Sequence, residues 1–332
     1  MEKRELGSLA RHRAYLGKPP KRGPVAPFPC RPGDVFAKQV AGLATRLRAI
    51  RCRDVVLGLS GGLDSTLALL VADAAFRRLG LDRRGLHVYT LPGFGTSGRT
   101  KGNAARLCEG LGLALETISI VKACRQHFRD IGHDGHTPDV TFENAQARMR
   151  TLILMDKANM TGGIVLGTGD LSEIALGWCT FNGDHMSMFG VNSGVPKTVV
   201  RQVVSWAARR PGTDPRAAAA LEDIVATPVS PELVKGQVTE DAIGPYELHD
   251  FFLWNFIVNE MGSKDLLSAA LRHFPREAFP RETVERTLAT FMRRFFSQAF
   301  KRNCQPDGVK VFPFELSPRG WWIPSDLGFV RL

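Results

Sequence analysis

Four short apolar runs recur in the first half of the chain: VVLGLS (55–60), LHVYTL (86–91), LETISI (115–120) and GIVLGT (163–168). Each has the length and β-branched content of a buried strand, and a strand apolar on both faces needs cover on both sides. Between them, 66–79, 100–111 and 142–160 have helical spacing of apolar residues, as does 36–50 ahead of the first run. This alternation predicts an α/β fold with a doubly wound parallel sheet. Right-handed crossovers then gather the C-terminal ends of the strands on one edge, where such folds bind ligands. From 196 onward the pattern turns mostly helical: PKTVVRQVVSWAARR with Pro at its first turn, then 246–261, 264–273 and 281–303. The Pro-, Gly- and Thr-punctuated stretch 211–245 reads as loop lying over the site, and the end, with SPRGWWIPSD, as an irregular tail.

A chain of 332 residues can bury a sizeable core as one large or two small domains. No apolar run of about 18 residues is present, so no membrane-spanning helix is expected. The first residues are charged without an apolar core, unlike a secretory signal. Cys30, Cys52, Cys108, Cys124, Cys179 and Cys304 lie far apart with no CxxC, which fits reduced thiols in a cytoplasm. The net charge of +11 is concentrated: residues 1–53 carry 13 Lys/Arg against 3 Asp/Glu, and the other 279 carry 31 against 30. The basicity therefore belongs to an N-terminal tail or linker, 1–35, rather than to the body. Such a tail reads as a solvated extension or an RNA- or partner-binding arm, and it lacks the interleaved aromatics that base stacking needs.

The first strand runs into LGLSGGLDSTLALL, 57–70. Gly61 and Gly62 let the backbone turn tightly and approach a ligand with no Cβ in the way. Free N–H groups there and at the start of the helix near Ser65 make an anion site, to which Ser60 and Ser65 add hydroxyls. The spacing matches neither GxxxxGK[ST], GxGxxG nor GxSxG. SGGxDS is identified as a PP-loop, the mark of adenine-nucleotide alpha hydrolase-like ATP pyrophosphatases, which split ATP between its α and β phosphates. Asp64 beside a phosphate calls for a cation between them, and is assigned to Mg²⁺.

The PP-loop alone leaves several families open, among them tRNA-modifying enzymes, a reading that the basic tail also suggests. Other stretches choose: LPGFGTSGRTKGNAARL (91–107), VTFENAQARMR (140–150) and, most specific, GIVLGTGDLSEIALGWCTFNGDHMSMFGVNSGVPKTVVRQV (163–203). Over about 36–328 the chain resembles the synthetase domain of NAD⁺ synthetases, especially the glutamine-dependent bacterial type. The resemblance implies amidation of deamido-NAD⁺ to NAD⁺ through an acyl-adenylate, with ATP, Mg²⁺ and ammonia, in a homodimer or larger assembly.

Carried over by position, the ATP site falls on Gly58, Leu59, Ser60, Gly61, Gly62, Leu63, Asp64, Ser65, Thr168, Lys197 and Ser230, the last where relatives more often have threonine. Lys197 would reach the phosphates, although a lysine after Pro at a helix start otherwise reads as exposed. Asp64 and Glu173 match the metal ligands; Glu173 is also a good helix-dipole partner after the GTGD turn. Asn144, Arg148, Glu173, Trp178, Cys179, Thr180, Phe181, Asp184 and Lys301 fall on the deamido-NAD⁺ site, part of which a neighbouring subunit would supply. Asn144 and Arg148 share a helix face at i and i+4. Trp178 could equally be core, and Cys179 reads as a small buried hydrophobe rather than a nucleophile. Lys301 would close over the dinucleotide.

The glutamine-dependent relatives carry an N-terminal glutaminase on the order of 250 residues, by ordinary domain size. Only 54 residues precede the first strand here, too few to hold one. The expectations are an enzyme using free ammonia, a synthetase subunit served by a separate glutaminase, or a truncated, non-catalytic product.

Overall fold

Val55, Val56 and Leu57 are all buried, so the first strand has no face toward water. In the computed structural model, which describes residues 25–230, 233 and 238–320, that strand is β1 (Val55–Gly58). It pairs in parallel with β2 (Leu86–Thr90), Val55 opposite Leu86, and with β4 (Ile164–Gly167), Val55 opposite Ile164. β3 (Leu115–Thr117) and β5 (Phe189–Gly190) extend the sheet to the order β3-β2-β1-β4-β5, every pairing parallel. Side chains alternate across the pleat and divide the core into two layers. Val55, Leu57, Val88, Ile164 and Leu166 join one apolar cluster, whereas Val56, Tyr89 and Val165 join the other.

The first cluster is covered by α1 (Pro32–Ala49), α2 (Leu63–Leu79), α3 (Gly98–Leu111), α7 (Lys197–Ala208) and α8 (Pro215–Val225). The second lies under α4 (Val121–Ile131) and α5 (Val140–Thr161). Going outward from β1, the chain proceeds through β2 and β3 on one side and β4 and β5 on the other. The strand order reverses between β1 and β4, and the crevice beyond their C-terminal ends is where a ligand of a doubly wound sheet sits. α6 (Leu171–Leu176) follows β4 and faces this crevice.

The C-terminal part is helical: α9 (Thr239–Ile243), α10 (Tyr246–Ile257), α11 (Ser263–His273), α12 (Arg281–Ser297) and α13 (Ala299–Arg302). Every residue of α10 but Glu247 is buried; Phe252 and Phe256 mesh with Phe291 and Phe295 of α12, and Phe251 packs on His273 and Phe274. α10 thereby stands behind α6 and α7 as a rigid wall of the site.

Several sequence expectations are corrected. The stretch 211–245 contains α8 and α9; Asp214 caps the first of them and Pro215 takes its first turn, a stop-and-start signal that resembled loop. The helix expected over 281–303 breaks at Gln298, and that over 246–261 stops at Ile257. α1 begins at Pro32, inside the stretch read as tail, and α2 begins at Leu63, ahead of Ser65. The basic residues 1–24 and the SPRGWWIPSD end beyond 320 lie outside the described residues. Among the described residues no helix is long and apolar enough to cross a membrane.

Candidate active site

The glycine loop between β1 and α2 is closed by its own hydroxyls. Ser65 Oγ accepts from the Ser60 N–H at 3.2 Å and lies 3.0 Å from Ser60 Oγ, which accepts from the Gly62 N–H at 3.1 Å. Gly61 has φ +91°, and a Cβ there would stand 2.1 Å from the Thr100 carbonyl oxygen, so glycine is required by both conformation and space. No side chain caps α2, whose first N–H groups therefore face the crevice as a site for an anion. Gly58, Leu59 and Leu63 shape this loop from below: Leu59 and Leu63 are buried, and the Leu59 N–H bonds the Tyr89 carbonyl at 2.7 Å.

Three segments far apart in sequence meet beside the loop. Lys197, at the start of α7, is fully buried, and its Nζ lies 2.5 Å from Asp64, 2.8 Å from Asp170 and 2.9 Å from Glu173. The exposed reading of this lysine is thus overturned. The ring of Tyr246 stands 5.3 Å from the same ammonium. Burial opposes charge on Lys197, but Asp170, Asp64 and Glu173 outweigh it and hold its pKa well above the usual value. Burial pushes Asp170 up strongly, against the pull of Lys197, and the neighbouring Glu173 and Asp64 charges add to the rise. Burial likewise raises Glu173 to about 7. One ammonium cannot compensate three carboxylates in so dry a place.

The carboxylate oxygens of Asp64, Asp170 and Glu173 lie within 4.8 Å of one another. Asp64 Oδ1 is buried with no hydrogen-bond partner. A hard divalent cation takes oxygen ligands of this kind, and the excess negative charge is what it would neutralise. The donor set fits magnesium.

Asp170 is the member sequence reasoning missed. Its Oδ1 accepts from the Glu173 N–H at 2.8 Å, so it caps α6, and the D-x-x-E spacing is fully accounted for as a helix start. Asp250 was also missed, although an acid directly before the aromatic run FFLWNF of the helix YELHDFFLWNFI is a visible signal. It is fully buried and accepts from Ser172 Oγ, from the Thr198 N–H at 2.9 Å and from Thr198 Oγ1 at 2.6 Å. Ser172 Oγ in turn accepts from the Lys197 N–H at 2.8 Å. Asp250 thus fixes the N-terminus of α7 against α6 and aims Lys197 at the cluster.

Next to the cluster opens a cleft lined by Gly169, Glu173, Cys179, Asp184, His185 and Lys301, among others. The expected dinucleotide residues partly converge at its wall. Thr180 Oγ1 donates to Asn144 Oδ1 at 2.8 Å, the Thr180 N–H to Asp184 Oδ1 at 2.8 Å, and Arg148 Nε to the Phe181 carbonyl at 3.2 Å. These bonds join α5 to the WCTFNGD segment. Phe181 is exposed and stacks on His185, with ring centroids 5.0 Å apart.

The family model described as NAD synthase matches residues 35–294. The chain belongs to the NAD synthase family. A glutamine-dependent NAD(+) synthetase of Mycobacterium leprae (strain TN) is 41% identical over 325 residues, 89% of this chain and 48% of that protein. One from Rhodobacter capsulatus is 34% identical over 264 residues, 77% of this chain and 45% of that protein. The chain spans about half the length of the curated relatives it matches. Among solved structures, a glutamine-dependent NAD(+) synthetase from Cytophaga hutchinsonii superposes with TM-score 0.72 at 18% identity, covering 88% of this chain and 53% of that one. An NH3-dependent NAD synthetase from Campylobacter jejuni gives TM-score 0.59 at 21% identity, covering 82% and 96%. At these identities the structures speak for the fold alone.

Within this NAD synthase fold, other expected residues take unexpected places. Lys301 is half-buried, and its Nζ donates to the carbonyls of Gly177 at 2.8 Å and Cys179 at 2.7 Å. Arg294 and Arg302 take the carbonyls of Leu176 and Ala175, so three cations hold the turn after α6 from behind. In this structure Lys301 shapes the cavity wall rather than lying over the cavity. Trp178 packs against the core with the Arg294 guanidinium 5.0 Å from its ring centroid. Burial drives the Cys179 thiol far up, which keeps it protonated and no nucleophile. Thr168 ends the β4 loop with its carbonyl accepting from Asn192 Nδ2 at 2.9 Å. Ser230 is exposed, just before residues outside the described set.

Proposed function

We propose that this chain amidates deamido-NAD⁺ to NAD⁺ at the expense of ATP. The observation that carries the reading is the meeting of Lys197, Asp64 and Glu173 from three distant segments beside the uncapped start of α2 and a cleft lined by Glu173, Cys179 and Asp184, to which Thr180 and through it Asn144 are hydrogen-bonded. In the first step an oxygen of the nicotinate carboxylate bonds the α-phosphorus, and the bond to the bridging oxygen breaks to release pyrophosphate. In the second, ammonia bonds the acyl carbon, loses a proton, and AMP leaves with the electron pair of the acyl–oxygen bond. Neither step needs a protein nucleophile; the requirements are alignment and neutralised charge.

The Gly61 N–H and the first N–H groups of α2 donate to phosphate oxygens, with Ser60 and Ser65 as hydroxyl partners. Lys197 brings a positive charge to the same phosphates. Asp64 and Glu173, with Asp170 behind Lys197, would hold Mg²⁺, which supplies charge neutralisation to the leaving pyrophosphate. Asn144, Arg148 and the segment 178–184 bind the dinucleotide and place its carboxylate over Glu173's side of the cavity. Ammonia enters free or from a separate glutaminase, and a second subunit completes the dinucleotide site, as the resemblance implies.

Asp64→Asn and Glu173→Gln, each with wild-type far-UV circular dichroism, should lose AMP formation by about two orders of magnitude or more, the scale of losing one electrostatic group at a phosphoryl centre. Near-normal turnover in either would contradict the metal assignment.

A further inference from the structure

β1 and β4 are hydrogen-bonded only through their first residues, Val55 with Ile164 and Val56 with Val165. Past that point they part: the Leu59 N–H turns to the Tyr89 carbonyl on β2, and the Met188 N–H, on the approach to β5, bonds the Val165 carbonyl. The segments that follow, the glycine loop into the first turn of α2 with Asp64 and the loop bearing Thr168, are therefore the two lips of the crevice and share no strand pairing. Lys197 ties them through their carboxylates, and a second side chain ties them through their backbone. Asn192 is fully buried in the turn after β5, and its Nδ2 donates to the Asp64 carbonyl at 2.8 Å and to the Thr168 carbonyl at 2.9 Å.

An amide can present either end, and here the choice is fixed from outside. Gln39, fully buried on α1, donates its Nε2 to Asn192 Oδ1 at 2.9 Å and to the Val191 carbonyl at 3.0 Å. Were the Asn192 amide turned over, its oxygen would face two carbonyl oxygens and its NH2 would face the NH2 of Gln39. Gln39 thus selects the orientation in which both hydrogens of Asn192 bridge the lips.

We infer that Asn192, oriented by Gln39, is a positioning residue that sets the separation of the Asp64 and Thr168 loops and so the fit of the site to magnesium–ATP. Neither side chain needs to touch the nucleotide. The inference rests on the reading that these loops hold ATP. It makes α1, otherwise a packing helix, part of the nucleotide site's frame.

The test measures binding to the full chain by calorimetry, using magnesium with the α,β-methylene analogue of ATP, and separately deamido-NAD⁺. Asn192→Asp keeps the shape, removes both donors and sets a carboxylate against two carbonyls. Gln39→Leu leaves Asn192 in place but removes the donor to its Oδ1, so that only the two lip carbonyls hold its amide. The expected result is a dissociation constant for the analogue raised about tenfold or more, roughly 1.4 kcal/mol, in Asn192→Asp. Gln39→Leu should raise it several-fold, in a folded variant whose melting temperature falls because the Val191 carbonyl and Asn192 Oδ1 lose their donor. Deamido-NAD⁺ affinity should hold within about twofold in both, because its residues lie on α5 and in 178–184. If Asn192→Asp does not fold, Gln39→Leu decides alone. Unchanged analogue affinity in folded variants, or equal weakening of both ligands, overturns the inference. A wild-type chain that does not bind the analogue at all would instead contradict the underlying ATP reading.

Discussion

Adjacent on α10 and fully buried, His249 and Asp250 respond to acid in opposite senses. Burial holds the His249 imidazole down to about 4, the bond to the Ile243 carbonyl only partly opposing it. Burial pushes the Asp250 carboxyl up to about 6, although Ser172 and Thr198 donate to it. A depressed histidine stabilises the fold above its unfolded value near 6.5 and loses that contribution as pH falls through 4. A raised aspartate stabilises fully below its unfolded value near 4 and loses that contribution as pH rises through 6. Each shift spans about two units, which corresponds to roughly 3 kcal/mol. Between pH 4 and 6.5 the two therefore nearly cancel.

Asp250→Asn removes one side of that balance. An amide oxygen can still accept from Thr198, at the cost of the Ser172 bond to the other carboxylate oxygen, a cost that does not vary with pH, and the amide no longer gains from protonation. Relative to wild type, the variant should be about 3 kcal/mol worse at pH 4 than at pH 7, the integrated linkage of the lost carboxyl. Urea unfolding followed by tryptophan fluorescence at pH 4, 5, 6 and 7 gives this difference directly, and the common effect of the basic tail drops out of it. His249→Gln should show the mirror image, gaining on wild type as pH falls. A stability difference between Asp250→Asn and wild type that is the same at every pH would refute the assignment of Asp250 as a buried, raised carboxyl.

Lys197→Met leaves three carboxylates around an apolar tip, and should cost about 3–5 kcal/mol by urea unfolding at neutral pH, the usual penalty for orphaning a buried charge; a loss under about 1 kcal/mol would mean that the ammonium is not their counter-charge. Gly61→Ala sets a Cβ against the Thr100 carbonyl at a positive φ, and should lower stability by about 1–3 kcal/mol and abolish ATP-analogue binding; calorimetry with wild-type affinity would contradict the loop geometry. Lys301→Met frees the Gly177 and Cys179 carbonyls, and should weaken deamido-NAD⁺ binding about tenfold with ATP-analogue affinity held within about twofold, as expected for a residue acting on the cavity wall alone. Equal weakening of both ligands would show that it acts on the whole crevice.

The sheet was legible where local chemistry is sufficient. VVLGLS, LHVYTL and GIVLGT have no polar face, so burial between helical layers is their only stable fate, and the glycine loop declares its tight turn by composition. β5 was not legible because two residues, Phe189 and Gly190, carry no periodicity. α8 was hidden because Asp214–Pro215 looks like a turn until the alanine run that follows is packed on α3. Lys197 shows the deeper limit. Nothing near VPKT says that its side chain is buried, since the three carboxylates that make burial tolerable lie 24 to 133 residues away. Asp170 was hidden for the opposite reason: as a helix cap before Glu173 it had a sufficient local explanation, and its second partner is visible only in three dimensions.

The central claim is that the crevice between β1 and β4 adenylates a carboxylate and passes it to ammonia. The most direct measurement supplies the full chain with deamido-NAD⁺, ATP, magnesium and ¹⁵N-ammonium chloride, and follows the products by mass spectrometry. The account predicts NAD⁺ carrying one ¹⁵N, with AMP and pyrophosphate formed in equal amounts. ADP and phosphate in place of AMP and pyrophosphate, or no labelled NAD⁺ at saturating ammonium, would contradict it.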